Sequence, residues 1–390
     1  MTAEPGAWSV SVYDRIRDIP AAAWDACANP QGLPFNPFIA HAFLSALEES
    51  GSATAEKGWA PRHLALTDER GEVAAVMPCY AKSHSYGEFV FDYPFAEAYE
   101  RAGGRYYPKL QTAVPFTPVT GRRLLVRPGV DAEQARALLS SAAVELAKAS
   151  DASSWHVTFA SRDEWASLGG LGLLQRTDTQ YHWHNRDYTG FDDFLASLAS
   201  RKRKAVRKER EQARASGIAF EWLTGSAIEE AHWDAFFAFY MDTGNRKWGR
   251  PYLTRAFFSL IGEAMADRIL LVMAMRHGEP IAGALNFIGG DTLYGRYWGC
   301  LESHAFLHFE ACYYQAIDFA IARKLAHVEA GAQGEHKLAR GYAPETTYSL
   351  HYFANPGLAR AAKRFLEQER EAVAHEQEAL SEALPYRRCE

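Results

Sequence analysis

Glu310 is a carboxylate in an unusual place: at helical spacing it shares a face with Phe306, Tyr313, Ile317 and Ile321. Proton transfer in a reaction needs a positioned base, and charge that develops in a transition state needs donors aimed at it. Glu310 fits the base. It fits as well an acid that locks its helix to Arg296 or to a tyrosine hydroxyl. Tyr313, on the same stripe, is a candidate substrate contact. Downstream, GAQGEHK at residues 331–337 crowds Gln333, Glu335, His336 and Lys337 into a glycine-rich loop. Glycines let a backbone approach a ligand closely, and exposed amides hold anions. Lys337 is then suited to a phosphate or developing oxyanion, His336 or Glu335 to moving a proton, and Gln333 to holding substrate. The competing view is a tight turn with a solvated tip; functional residues concentrate on such loops, which favours chemistry.

Two further groups supply charge. Tyr294, Arg296 and Trp298 alternate along one stretch and are expected to share a strand face, with Tyr297 on the other side. Arg296 would offer a fork to a carboxylate or phosphate, unless it snorkels from a core strand. Arg203, Arg207, Arg210 and Arg214 recur at helical spacing as one basic stripe flanked by Lys202, Lys204 and Lys208. Such a stripe suits tRNA, a nucleotide-linked precursor or anionic lipid heads; alternatively it is a solvated face supported by Glu209 and Glu211. The histidines come in pairs, His304 with His308 and His182 with His184, whereas zinc asks for three or four converging ligands, so no metal is expected. GxSxG, HExxH and P-loop patterns are absent.

These residues need positioning elements, and the pattern supplies them. Residues 131–149 read as an amphipathic helix with an acidic cap, 36–49 as a helix opened by Asn and Pro, and 9–16, 155–160 and 173–183 as strands. Residues 63–68 and 73–81 flank a hairpin turn at Glu69, Arg70 and Gly71. Residues 82–120 read as one long irregular stretch rich in Tyr, Phe, Pro and Gly. Further on come a helix over 192–216, a strand over 218–223, and helices over 228–241 and 254–266. Three strands follow over 269–276, 281–289 and 292–299, then a helix over 305–324, strands over 327–330 and 347–353, and a helix over 357–380. That order describes an α/β sheet, antiparallel at one end and parallel at the other.

A length of 390 residues implies two domains, placed at 1–185 and 186–390. The net charge of −6 argues against a surface coated for nucleic acid. Met1 to Val10 lack a basic, then apolar, leader pattern, and the longest apolar run, 269–275, is far short of the roughly 20 residues of a membrane helix. Five cysteines without CxxC spacing read as reduced thiols, and a cytoplasmic protein is expected.

The segments FDDFLASLASRKRKAVRKEREQARASGIAFEWL, PIAGALNFIGGDTLYGRYWG and HFEACYYQAIDFAIARKLAHVEAGAQGEHK resemble the second half of the FemABX family of peptidoglycan aminoacyl transferases. YGEFVFDYPFAEAY, PFTPVTGRRLL, NRKWGRPYLTR, YGRYWG and EAGAQGEHKLARGY are similar to a FemAB-like subfamily described as peptidoglycan biosynthesis or recognition proteins. The resemblance implies two tandem GNAT domains with mixed, mostly antiparallel sheets, the second carrying the active site. It implies an N-acyltransferase acting on a cell-wall-type or peptide-like amine, with acyl-CoA or aminoacyl-tRNA as donor. A non-catalytic precursor-binding protein on the same scaffold is the alternative. Two departures qualify it. The GNAT pyrophosphate loop, R/Q-x-x-G-x-G/A, is replaced by CLESHA at residues 300–305, which weakens acyl-CoA as donor, and no two-helix arm is present. Donor and acceptor would meet in a groove floored by the second domain and lipped by aromatic residues 86–119.

Overall fold

The computed structural model describes residues 8–215, 217–247, 251–331 and 334–387. The chain divides into two compact units, each discontinuous in sequence: unit 1 is Met1–Asp178 with Thr346–Ala374, and unit 2 is Thr179–Glu345 with His375–Glu390.

In chain order the strands are β1 Ser9–Tyr13, β2 Trp59–Pro61, β3 His63–Thr67, β4 Val73–Met77, β5 Tyr80–Lys82, β6 Lys109–Thr112, β7 Leu125–Val126, β8 Ser154–Ala160, β9 Leu174–His184, β10 Ile218–Leu223, β11 Ile269–Arg276, β12 Glu279–Ile288, β13 Thr292–Cys300, β14 His327–Glu329 and β15 Ala343–Phe353. The helices of unit 1 that matter below are α1 Ala132–Ala149, capped by the Asp131 carboxylate on Glu133 N and Gln134 N, and α2 Arg162–Gly170, opened by a Ser161–Glu164 capping box. Those of unit 2 are α3 Phe191–Ser197, α4 Ser200–Ala215, α5 Glu230–Lys247 and α6 Arg255–Met265.

Unit 1 holds a four-stranded antiparallel sheet in the order β1-β3-β4-β7, and a second sheet running β15-β8-β6-β5-β2 in which β6 and β8 are parallel. Its core packs the inner face of α1 (Ala135, Leu139, Ala143) on Leu64, Leu66, Trp155 and Val157. Unit 2 is a sheet in the order β10-β11-β12-β13-β14-β9, antiparallel except for the β13–β14 pair. Its core sets Leu270, Val272 and Leu293 against Ile317, Phe319 and Ala320.

The structure alters several expected boundaries. Residues 82–120 are not irregular throughout: they contain a helix, Tyr93–Arg101, with Pro94 in its first turn, and β6, which pairs with β5 and β8. A four-residue strand flanked by loop residues leaves no period to read; its pairing is tertiary. The helix expected over 192–216 breaks into α3 and α4 because Leu198 turns extended (φ −80°, ψ 151°), is fully buried, and forms a β-bridge with Tyr386. Packing overrides helix propensity there. Among the described residues no helix is long and apolar enough to cross a membrane.

Candidate functional site

In unit 2, β13 and β14 pair only where Thr292, Leu293 and Tyr294 face His327, Val328 and Glu329. Beyond Tyr294, β13 runs on to Cys300 bonded to β12, while β14 has ended, so the parallel pair opens like a V. A cavity of about 90 Å³ occupies the opening, walled by Arg296, Trp298, His308, Cys312, Tyr313 and Ala330. A larger one, about 340 Å³, shares Trp298 and His308 with it and reaches Arg246, Ser303 and His304. Gly299 allows this wall to form: a Cβ there would lie 2.2 Å from the Phe239 backbone of α5.

The three strand residues do not share one face. The register with β12 shifts at Leu285/Asn286, so β13 carries a bulge at Arg296. Leu293 and Trp298 consequently pack toward the same core, whereas Tyr294 is no part of it and Tyr297 meets Tyr240 of α5 at 5.7 Å between ring centroids. An extra residue reverses the alternation, which a period-2 reading cannot detect. Arg296 is buried; it donates to Glu329 Oε2 (2.8 Å) and to Gly295 O (2.8 Å), so its fork is directed to protein acceptors.

Glu310 is fully buried and heavily paired. It accepts from Arg210 Nε (3.0 Å to Oε2) and Nη2 (2.9 Å to Oε1), from Arg214 Nη2 (3.0 Å) and from Gln315 Nε2 (2.7 Å). Arg210 also reaches Asp318 (2.6 Å). Glu310 therefore locks its helix to α4, and not to Arg296 or a tyrosine. It also opens a five-residue π-helical stretch, Glu310–Tyr314, between Leu307–Phe309 and Gln315–Ala322. That wider turn rephases the helix, and such turns recur at functional sites. Here it leaves Tyr313 and Cys312 on the cleft wall.

The arginine stripe is split for the same reason. Arg210 and Arg214 turn to Glu310, Arg210 lies over Phe191 (4.0 Å to the centroid), and only Arg203 and Arg207 remain on the outer part of α4, Arg207 3.5 Å from Asp192. A buried carboxylate facing the helix engages half of the row, covering Arg210 and leaving Arg214 half exposed.

The glycine-rich loop is linked to the cleft through Lys337, whose amine interacts electrostatically with Arg296 and Cys312 on the cleft wall. Residues Glu335–Arg340 form a 3₁₀ turn entered at Gly334, whose φ of +116° suits glycine and where a Cβ would strike the His336 ring. Lys337 is buried and donates from Nζ to Gly331 O (2.9 Å). Desolvation, reinforced by the Arg296 charge, pulls its amine down to about 7. His336 Nε2 lies 2.9 Å from Tyr313 Oη, and its ring stacks on Phe309 at 5.6 Å. Desolvation, then Arg340 and Lys337, hold the imidazole below its usual pKa. Glu335 is exposed; Gln333 lies outside the described residues.

Two anchors were missed in the sequence. Arg340 spans Glu209 of α4 (2.9 and 3.0 Å) and lies 3.5 Å over the Phe309 ring, so it ties the loop to the basic helix. Arg340 stands three residues past Lys337, and Glu209 looked like a mere charge balance for the stripe; their 131-residue separation hides the pair. His308 and Cys312 also line the cleft without having been singled out for it.

A family described as peptidoglycan biosynthesis/recognition, FemAB-like, matches residues 15–388. The chain belongs to the FemAB-like family. Among solved structures it is similar to FemX, with 14% identity, a TM-score of 0.53, and 91% of this chain and 100% of that one covered. It is also similar to L-PGS from Bacillus licheniformis (9%, TM-score 0.50, 86% and 98% covered) and to a conserved protein of unknown function from Bacteroides thetaiotaomicron (11%, TM-score 0.51, 88% and 99% covered). No curated protein matches it by sequence. The fold is the expected tandem GNAT architecture of mixed α/β type, and FemAB-like membership ties the chain to peptidoglycan-related, acyltransferase-like function in general. In the CLESHA junction Glu302 accepts from Arg276 (2.8 Å) and lies 2.6 Å from His304, so the acid that replaces the pyrophosphate glycines is itself neutralised.

Proposed function

We propose that this FemAB-like protein is an N-acyltransferase that moves an acyl or aminoacyl group onto an amine of a cell-wall-type, peptide-like acceptor. The reading is carried by one observation: a buried lysine amine, Lys337, pulled down to about 7 and in electrostatic contact with Arg296 and Cys312, two residues of the cleft wall. A general base works best when its pKa lies near the operating pH. Neutral Lys337 takes a proton from the acceptor ammonium, the freed amine attacks the acyl carbon, and the C–N bond forms. The oxyanion then collapses as the acyl–oxygen or acyl–sulfur bond breaks, the Lys337 ammonium gives its proton to the leaving group, and the remaining extra N–H proton leaves the nitrogen for water, so that a neutral amide results. His336 and Tyr313 are a second proton path, Trp298 belongs to the substrate wall, and Glu335 acts from the loop. Glu310 and Arg296 serve as positioning groups. A charged tRNA is not part of the proposal, since half of the stripe expected to hold it is taken up by Glu310.

The test follows acceptor mass when the protein is mixed with a nucleotide-linked muramyl peptide and either an acyl thioester or an aminoacyl ester. Transfer is expected, with Lys337→Ala losing about 10²–10⁴-fold in kcat, the usual weight of a general base. Binding of the muramyl peptide without any transfer would replace the transferase with the precursor-binding alternative.

A further inference from the structure

The aromatic stretch that follows β5 is built in a way that its sequence does not explain. Lys109 is fully buried and gathers three residues of one loop, donating to Ser85 Oγ (2.8 Å), Glu88 Oε2 (2.7 Å) and Asp92 Oδ2. Trp59 Nε1 (3.2 Å) and Lys82 Nζ (3.4 Å) both donate to Tyr86 O, and Arg176 Nη1 donates to Phe91 O (2.9 Å). Phe89 sits at a φ of +61°, a conformation that costs a non-glycine residue and persists only where the surroundings enforce it. Four ionisable side chains, Lys82, Glu88, Asp92 and Lys109, are thus withdrawn from water to hold residues 85–93 in one shape. Glu88 Oε1 and Asp92 Oδ1 are buried and have no hydrogen-bond partner among the described residues.

The rings on this loop are nevertheless left in solvent. Tyr86 is 64% exposed, Phe91 51% and Tyr93 41%, and Phe91 and Tyr93 stack with centroids 6.3 Å apart and planes 24° off parallel. A loop anchored for stability alone would bury its largest rings. Rigid exposed aromatics are instead the arrangement that binds with little further loss of entropy.

We propose that residues 85–93 of unit 1 are a saccharide-binding platform, with Phe91 and Tyr93 as the stacking surface and Tyr86 beside them. The ligand class is an N-acetylhexosamine-containing glycan; this rests on the peptidoglycan-related reading of the family. The C–H face of a pyranose stacks on flat rings, and its equatorial hydroxyls suit phenol oxygens. Charge decides against other occupants. The exposed residues of this stretch, Ser83, Tyr86, Phe91, Tyr93 and Pro94, are uncharged, its acids being buried on Lys109. Along the chain the next exposed charges are Glu97, Glu100 and Arg101, a net negative set that does not attract phosphate-bearing lipid or nucleic acid.

The experiment is titration of the full chain with chitotetraose, read by calorimetry and by the fluorescence of Trp59, whose indole holds the loop. Saturable binding is expected. Phe91→Ala/Tyr93→Ala should weaken it at least tenfold with Tm unchanged, because both rings are solvent-facing, and Lys337→Ala should leave it as in the wild type. Absence of binding at millimolar chitotetraose, or equal affinity in the double variant, overturns the proposal. So does loss, in the double variant, of binding to a sugar-free stem pentapeptide or to neutral lipid vesicles while chitotetraose never binds. Glycan binding without transfer to any acceptor would sink the transferase and leave the platform standing. Transfer to a sugar-free peptide with no chitotetraose binding would do the reverse.

Discussion

Replacing Lys337 with Met should stabilise the protein at acid and neutral pH while removing its activity. An amine that titrates near 7 in place of its ordinary 10.5 carries a folding burden of about 5 kcal/mol in its charged form. Below pH 7 the folded and unfolded chains both hold the proton, so the burden is whole. Between 7 and 10.5 only the unfolded chain holds it, and this group makes stability climb by about 1.4 kcal/mol per pH unit. Above 10.5 the burden has gone. Met matches the volume of the lysine stem and loses the hydrogen bond to Gly331 O, worth about 1 kcal/mol. Lys337→Met should therefore be more stable by about 4 kcal/mol at pH 6, and slightly less stable than wild type near pH 10.5. Urea denaturation of both proteins at pH 6, 8 and 10 reads the difference, in which all other titrations cancel. A Met variant less stable at pH 6, or a gap that does not narrow as pH rises, refutes a buried, low-pKa amine.

The same amine sets a pH–rate profile: kcat should rise through about pH 7 as Lys337 becomes neutral, and Lys337→Arg should abolish that inflection. Glu310→Gln should cost about 3 kcal/mol by leaving Arg210 and Arg214 facing a neutral partner, yet lower kcat far less than Lys337→Ala. A Tm scan beside the transfer assay separates the two effects. Arg203→Ala/Arg207→Ala should stay within about 0.5 kcal/mol of wild type, whereas Arg210→Ala should be severely destabilised, as thermal unfolding will register.

What the sequence made visible was local. Asp131 ahead of an apolar period announces α1, and three β-rich runs divided by turns announce β11, β12 and β13. The loop at residues 331–337 stood out because glycines and ionisable groups rarely crowd together by accident of packing. Glu310 stood out as an acid on an apolar stripe, but its arginine partners lie 96 and 100 residues away, and no spacing rule reaches that far. Nothing in the sequence singles out Lys82 and Lys109, although both are fully buried.

Family motifs and periodicity thus determined the tandem GNAT fold, because it is written in contiguous residues, and they pointed to the stretch in which the chemistry is proposed. Tertiary structure alone decided which groups are consumed and which are poised. The bulge at Arg296 reverses a strand face by one extra residue, and the π turn at Glu310 rephases a helix. The buried Glu310 carboxylate engages Arg210 and Arg214, and burial strips water from Lys337. Charge state and accessibility depend on desolvation by distant neighbours, which a linear pattern does not contain.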